Sequence, residues 1–346
     1  MGILDFLFGK KIEETKSESS TEQPSASLKK EAFDWRTNEA HLLLLSRFLY
    51  AQKAKGDVSS NWENVLGEPL QRALDRFISE GWLVPASLSS KLDRAFNSTE
   101  IKKLLKERSL PVSGRKEQGI ERLVKKDPEG MSGKVTHLDL LQCSPEARAI
   151  AEQFIAKHKA EREVAEAKSL DQLRLGDFQN AILTVAQFET KQVFPRGLGI
   201  DWTKPQVDSN VELLKAIFEN HPKILAGLSE TEWEPLRVAT AMMHLWGTNK
   251  ATKWLPTNFI GTPKFDHDTT ARMVLFHGQH RRNMTDYLGK WEDLRIKKIE
   301  ILGSSDSCPQ CKKIAGKTYS IEKVPELPYE KCTHEMGCRC LAEPVI

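Results

Sequence analysis

Apolar residues recur every three or four positions along most of the chain, which is the spacing of amphipathic helices. Between residues 42 and 80 this pattern predicts two buried helices, and Gly81 is the expected C-cap of the second. Strand-like alternation is limited to short runs, of which residues 296–302 are the clearest. The pattern predicts a mostly α, multi-domain helical protein with a small β-containing tail. Further helices are expected at 98–110, 116–126, 144–168, 170–193, 211–220, 229–247 and 268–288.

These elements divide the chain into six regions. They are a disordered tail (1–34), a small helical domain (35–97), a basic module (98–130), a long charged helix or spacer (144–175), a helical domain (176–292) and a cysteine-rich tail (293–346). The run DPEGMSG at 127–133 is interpreted as a linker. The charged, alanine-rich helix suggests a spacer or a surface for protein partners or self-association. The Gly81-Trp82-Leu83-Val84 run also resembles a winged helix, but without recognition-helix charges.

Composition restricts the class of protein. The chain has 346 residues, 39% hydrophobic and 29% charged, and no apolar run approaches the roughly 18 residues of a membrane span. The apolar tip at 3–8 carries Asp5 and does not fit a secretory signal, so a cytoplasmic protein is expected. The tip is either a frayed terminus or a peptide that docks on a partner or a membrane surface.

The stretch 98–126 is strongly basic. It holds nine lysines and arginines against four glutamates, whereas the whole chain has a net charge of only +3. Its first helix turns Ile101, Leu104 and Leu105 inward and has Ser98 or Thr99 as a candidate cap. Such a patch suits phosphate groups, although a basic run is also typical of a solvated helix face. The candidate DNA-binding residues are Lys102, Lys103, Arg115 and Lys116.

The order of helix, Leu-Pro-Val-Ser-Gly-Arg-Lys turn and second helix resembles the SAP domain, a small DNA-binding helix–turn–helix module. The resemblance implies that fold and a DNA partner. Two positions depart from the family pattern: Ser109 replaces a usual glycine, and Gly119 replaces a usual leucine. The second change is expected to weaken the helix, so that Gly119→Leu would stabilise it. The matching residues are Leu104, Leu105, Leu110, Ser113, Gly114, Lys116, Ile120, Arg122 and Leu123.

Five of the six cysteines lie in the last 39 residues. Cys308 and Cys311 form a C-x-x-C pair, and Cys332, Cys338 and Cys340 follow some 20–30 residues later, with His334 between them. Two thiolate pairs at this spacing are typical of a structural Zn²⁺ site, with the exact ligand set open among five cysteines and one histidine. A redox C-x-x-C or free thiols are the alternatives. The remaining cysteine, Cys143, is expected to be a buried apolar residue.

The tail also resembles the C-terminal cysteine motif of phage Mu F-like minor head (head morphogenesis) proteins. His334 is one place from the family's histidine, and Cys332 is a candidate substitute. The resemblance covers about 45 residues that also occur on other bacterial proteins. Because the segment is short and poor in large apolar residues, chelation is expected to unfold it independently of the helices. The matching residues are Cys308, Pro309, Cys311, Gly316, Lys317, Tyr319, Cys338, Arg339 and Cys340.

Three histidines, His267, His277 and His280, lie near arginines in a helical run and are more typical of a polar helix face than of a nuclease centre. We therefore expect a non-enzymatic, intracellular bacterial or phage protein that binds DNA and holds a structural zinc ion. A phage head-morphogenesis protein, associated with the virion, is the first alternative. A DNA-processing nuclease is the second.

Overall fold

The computed structural model describes residues 34–53, 61–195, 207–289 and 296–345. Over these residues the chain is mostly helical, with two small antiparallel sheets and a cysteine-rich C-terminal region, which confirms the predicted mostly α class with a β-containing tail. None of the helices in these ranges is both long enough and apolar enough to cross a membrane. The apolar tip and the polar tract that follows it lie outside the described residues.

The N-terminal elements surround one buried cluster. They are α1 (Glu39–Ser46), β1 (Gln52–Lys53), α2 (Asn61–Leu66), α3 (Leu70–Ser79) and β2 (Leu83–Pro85). Asn38 begins α1, because its side chain accepts hydrogen bonds from the N–H groups of Ala40 and His41. Gly81, at φ +77°, follows α3 and ends it as predicted. The buried side chains of this cluster include Trp35, Leu44, Leu45, Trp62, Leu74 and Phe77.

A second cluster is formed by four short helices, α4 (Leu88–Ala95), α5 (Ser98–Glu107), α6 (Lys116–Lys126) and α7 (Pro128–Val135). Leu92, Ile101, Leu105, Leu123 and Met131 meet there, each no more than 1% exposed. The sequence placed α4 with the preceding domain, but its buried leucine packs against the basic module. The name basic module is used below for residues 98–126, the strongly basic part of the predicted region 98–130.

The predicted linker at 127–133 is wrong. Asp127 is the N-cap of α7, since its carboxylate accepts the N–H of Gly130, and Pro128 occupies the first helical position. The Arg108 guanidinium pairs with the same carboxylate at 2.7 Å and, together with the Gly130 N–H, holds the pKa of Asp127 below its usual value. Helix α7 buries Met131 completely, so this segment is part of the core.

Both ends of α5 differ from the sequence-based expectation. Its cap is Asn97, which accepts the N–H groups of Thr99 and Glu100, while Glu100 accepts the N–H of Asn97 at 2.7 Å. These reciprocal bonds form a capping box, so neither Ser98 nor Thr99 is the cap. After the last turn, Ser109 has φ +54°, a left-handed conformation that suits glycine. A glycine at this position would adopt the same backbone angle without the steric cost that serine has.

Ser109→Gly is expected to raise stability by about 0.5–1 kcal/mol, because glycine avoids the steric cost of the left-handed backbone. Ser132→Gly is the matched control. Ser132 lies inside α7 with helical geometry, so the same substitution is expected to lower stability there by about 0.5 kcal/mol. Denaturant unfolding of both variants gives the two free energies. An equal loss of unfolding free energy in both variants would show that the backbone at Ser109 is not strained.

Strand β3 (Leu140–Cys143) follows the second cluster along the chain and buries Leu141 and Cys143 in the first. It lies between β1 and β2 and is antiparallel to both, with Leu141 opposite Gln52 and Cys143 opposite Leu83. The helices α4 to α7 are therefore inserted between two neighbouring strands of one sheet. Cys143 is buried as predicted, and burial raises the pKa of its thiol to about 11.

Helix α8 (Pro145–Arg174) connects the N-terminal cluster with the C-terminal one. Ser144 caps it and Pro145 begins it, as predicted. Its first turns bury Ala147 and Ala151 in the N-terminal cluster, and its last turns bury Leu173 in the C-terminal cluster. The helix is thus more than the solvent-exposed spacer expected from its charge.

The C-terminal cluster contains both the remaining helices and the cysteine-rich tail. Its elements are α9 (Phe178–Glu189), α10 (Val207–Glu219), α11 (Glu230–Leu245), α12 (His267–Gly289), β4 (Lys298–Leu302), α13 (Pro309–Lys312), β5 (Thr318–Ser320) and β6 (Leu341–Val345). The predicted Ser229–Glu232 capping box begins α11. The tail forms an antiparallel sheet in the order β5-β4-β6, and its buried Ile299 and Ile301 share one core with Met242 and Trp246.

Candidate functional site

The cysteine cluster lies in the segment between β4 and β6. Cys308 is the N-cap of α13, and Pro309 holds the first helical position, so the C-x-x-C pair lies on a single tight turn. The Cys308 thiol accepts the N–H of Cys311 at 3.5 Å and the N–H of Thr333 at 3.3 Å. The turn thus fixes the first two thiols, and the chain after β5 returns the other three to them.

All five tail cysteines meet in this place. The Sγ atoms of Cys308, Cys311 and Cys332 lie within 4.8 Å of one another, as do those of Cys311, Cys338 and Cys340. The Cys308–Cys332 separation is 3.9 Å and the Cys311–Cys338 separation is 3.8 Å. Each thiol is buried, with exposures from 0% at Cys332 to 7% at Cys308 and Cys340. Among the described residues, these are the groups able to hold a metal ion.

The surroundings of Cys308 lower the pKa of its thiol, whereas those of Cys311 and Cys332 raise theirs. Burial acts to raise the pKa of Cys308, but the two N–H groups that it accepts outweigh this and lower it to about 6. Burial and the neighbouring Cys338 raise the pKa of Cys311. The hydrogen bond with Cys338, followed by burial, raises the pKa of Cys332. The Cys308 thiol is therefore more acidic than those of Cys311 and Cys332.

His334 faces away from the sulfur atoms. Its Nδ1 accepts the N–H of Met336 at 3.0 Å, and its Nε2 lies 3.1 Å from the Arg339 guanidinium and 3.7 Å from Asp306. Arg339 also pairs with Asp306, and this hydrogen bond lowers the pKa of the carboxyl to about 2. Neither group of clustered ligands includes His334, so the cluster is a set of thiols alone.

Helix α12 supports the cluster from the side. The Cys338 N–H donates to the Met273 sulfur at 3.3 Å, and Arg272 donates to the Met336 carbonyl at 3.4 Å. Gly337, at φ +79°, packs so closely that an added Cβ would lie 2.7 Å from the Met273 sulfur. No local pattern in the sequence indicates Met273, because its role depends on a contact between residues 65 positions apart.

The candidate histidines do not form a second centre. His277 is buried and its Nδ1 donates to the Leu327 carbonyl at 2.9 Å, while burial lowers its pKa. Burial also lowers the pKa of His280 to about 4. His267 lies beside Phe259 and the Ile260 carbonyl. His277 is buried, whereas His267 and His280 are only partly buried.

The four candidate DNA-binding residues of the basic module differ in their exposure and in their ion pairs. Lys102 and Lys103 on α5 and Arg115 before α6 are exposed, and no ion pair involves them among the described residues. Lys116 is different, because its Nζ lies 2.8 Å from the Asp93 carboxylate and donates to the Asp93 carbonyl at 2.6 Å. Asp93 lies on α4, and the sequence did not indicate this partner. Its carboxylate compensates part of the Lys116 charge.

The two arrangements suit different chemistry. The clustered thiols are able to hold a metal ion, and the exposed cations are able to face phosphate groups. No family model, curated protein or solved structure matches the chain.

Proposed function

We propose that this chain is a non-enzymatic DNA-binding protein that holds one structural zinc ion in its cysteine cluster. The observation that carries the metal assignment is the spacing of the thiols. A Zn–S bond of about 2.3 Å in a tetrahedron places the sulfur atoms about 3.8 Å apart. The Cys308–Cys332 and Cys311–Cys338 separations of 3.9 and 3.8 Å match two opposite edges of such a tetrahedron.

These two pairs define the proposed ligand set as Cys308, Cys311, Cys332 and Cys338. Cys311 belongs to both groups of neighbouring thiols and links the two pairs. Cys340 touches the group from one side through Cys311 and Cys338 and is the fifth thiol. Four protein thiolates leave no open position on the metal, which is typical of a structural rather than a catalytic site.

Elemental analysis of protein purified under reducing conditions tests this assignment. We expect about one zinc ion per chain, and Cys340→Ser is expected to retain it. The fifth thiol would belong to the ligand set if Cys340→Ser lost the metal while Cys332→Ser kept it. A metal-free protein with a folded tail and a Cys308–Cys311 disulfide would remove the zinc site from the proposal.

DNA is the proposed partner of the basic module. Lys102, Lys103 and Arg115 are exposed cations, and the first N–H groups of α6 lie beside Arg115. Helix N-termini and arginine or lysine side chains are common phosphate contacts in protein–DNA interfaces. The resemblance of this stretch to the SAP domain adds support for duplex DNA as the ligand.

Salt-dependent binding to a DNA duplex measures the number of phosphate contacts. Arg115→Gln and Lys103→Gln are each expected to reduce the slope of log K against log salt concentration by about 0.9. Lys116→Gln is the matched control within the same turn, and we expect a smaller change because Asp93 already compensates that charge. If the wild-type protein binds no duplex, or if all three variants keep the wild-type slope, the module has no such role.

A further inference from the structure

Arg122 is the one basic residue of α6 that reaches back to the turn before the helix. Its guanidinium donates to the carbonyls of Pro111 and Ser113, and its Nε donates to the Gln118 carbonyl at 3.0 Å. Three of the five guanidinium N–H groups therefore bond to backbone carbonyls of the same module. A side chain so occupied has little capacity left for a phosphate group.

The bonds to Arg122 fix the direction of the turn amides. A trans peptide places each C=O opposite to the N–H of the next residue. Because the Pro111 and Ser113 carbonyls point to Arg122, the N–H groups of Val112 and Gly114 point away from it, on an exposed turn. Among the described residues, neither N–H forms a hydrogen bond.

The packing around Gly114 makes this orientation specific. Gly114 has φ +98°, and an added Cβ would lie 3.4 Å from the Arg122 Nη2 and closer still to the Gln118 amide oxygen. The same oxygen accepts the N–H of Arg115 at 3.0 Å, which fixes the residue that precedes α6. Arg122 and Gln118 together hold the turn from its inner side.

We propose that Arg122 is a positioning residue of the DNA interface: it sets the turn that carries Arg115 but does not itself contact phosphate. This inference rests on the proposed DNA-binding function. The affinity for DNA is expected to depend on the shape of the Arg122 guanidinium and not on its charge. A lysine at this position would keep the positive charge, but its ammonium group would reach only one carbonyl at a time. The simultaneous bonds to the Pro111 and Ser113 carbonyls would therefore be lost.

Duplex binding by the full-length chain separates shape from charge. Arg122→Lys, which keeps the net charge, is expected to weaken binding at fixed salt about tenfold, the effect of one charge-assisted hydrogen bond. The salt slope is expected to stay at the wild-type value. Arg115→Lys is the matched control, since a phosphate contact tolerates this exchange, and we expect a change of less than about twofold.

Arg122→Gln provides the second readout. We expect the same loss of affinity with an unchanged salt slope, whereas Arg115→Gln lowers the slope by about 0.9. A slope reduced in Arg122→Gln would identify a phosphate contact and overturn the proposal, as would wild-type affinity in Arg122→Lys.

Amide hydrogen exchange at Ile101 and Leu123 reports whether α5 and α6 remain folded. Loss of amide protection in Arg122→Lys would also overturn the proposal, because it would show that Arg122 is needed for folding. If the wild-type chain binds no duplex, the proposed function fails first.

Discussion

Removal of the metal is expected to abolish the cooperative unfolding transition of residues 207–345, not of the tail alone. Structural zinc contributes about 10 kcal/mol or more of apparent binding energy at neutral pH, which is comparable to the whole stability of a typical domain. The tail and the helices share one core, since Ile299 and Ile301 of the sheet belong to the same buried cluster as Met242 and Trp246. This shared packing does not fit the expectation that the tail unfolds by itself.

Hydrogen exchange with and without a chelator localises the effect. We expect protection to fall in α10, α11 and α12 as well as in the tail, and to return when zinc is added back. The cluster of α4 to α7 is an internal control, because its buried residues belong to a separate core. Loss of protection in the tail alone would restore the independent-tail interpretation.

Substitution of single cysteines gives the same test without a chelator. Cys308→Ser is expected to remove both the metal and the cooperative transition, because no other described thiol occupies the N-cap of α13. Cys143→Ser is the matched control, since Cys143 is also buried but lies in the N-terminal cluster. We expect that variant to keep its zinc and to lose only a modest part of its stability. Equal zinc content in both variants would contradict the ligand assignment.

The sequence predicted those features that depend on neighbouring residues. The C-x-x-C turn, the Ser229 capping box and the end of α3 at Gly81 all follow from spacing and side-chain type, and the structure contains each of them. The support of the cluster by Met273 and the pairing of Lys116 with Asp93 do not follow in this way. Both join residues far apart in sequence, so no local pattern indicates them.

The error at 127–133 has a different origin. Asp, Pro and Gly are turn residues, and the same Asp127-Pro128 pair is also a helix start. Local chemistry alone does not choose between a turn and a helix there. The burial of Met131 and Val135 against α4 and α6 decides for the helix, and this burial is a property of the assembled cluster.

Gly119→Leu is expected to destabilise the basic module by about 1–3 kcal/mol, the usual cost of overpacking a core. The sequence-based expectation had the opposite sign, because it placed an empty leucine position at Gly119. In the structure Gly119 is buried, and an added Cβ would lie 2.9 Å from the Ile101 Cγ2 and 3.2 Å from the Leu105 Cδ1. The Ile101 methyl is attached directly to Cβ and is itself buried, so it has little room to move.

A second glycine separates packing from helix propensity. Gly133 lies inside α7, and nothing lies within 4 Å of the Cβ that alanine would add there. Gly133→Ala is therefore expected to raise stability by up to about 1 kcal/mol, whereas Gly119→Ala is expected to lower it despite the same gain in propensity. Denaturant unfolding monitored by hydrogen exchange at Leu104 and Leu123 measures both. Stabilisation of both alanine variants would contradict this prediction. It would show that α5 and α6 leave room for a side chain at Gly119, so that their close approach does not require glycine there.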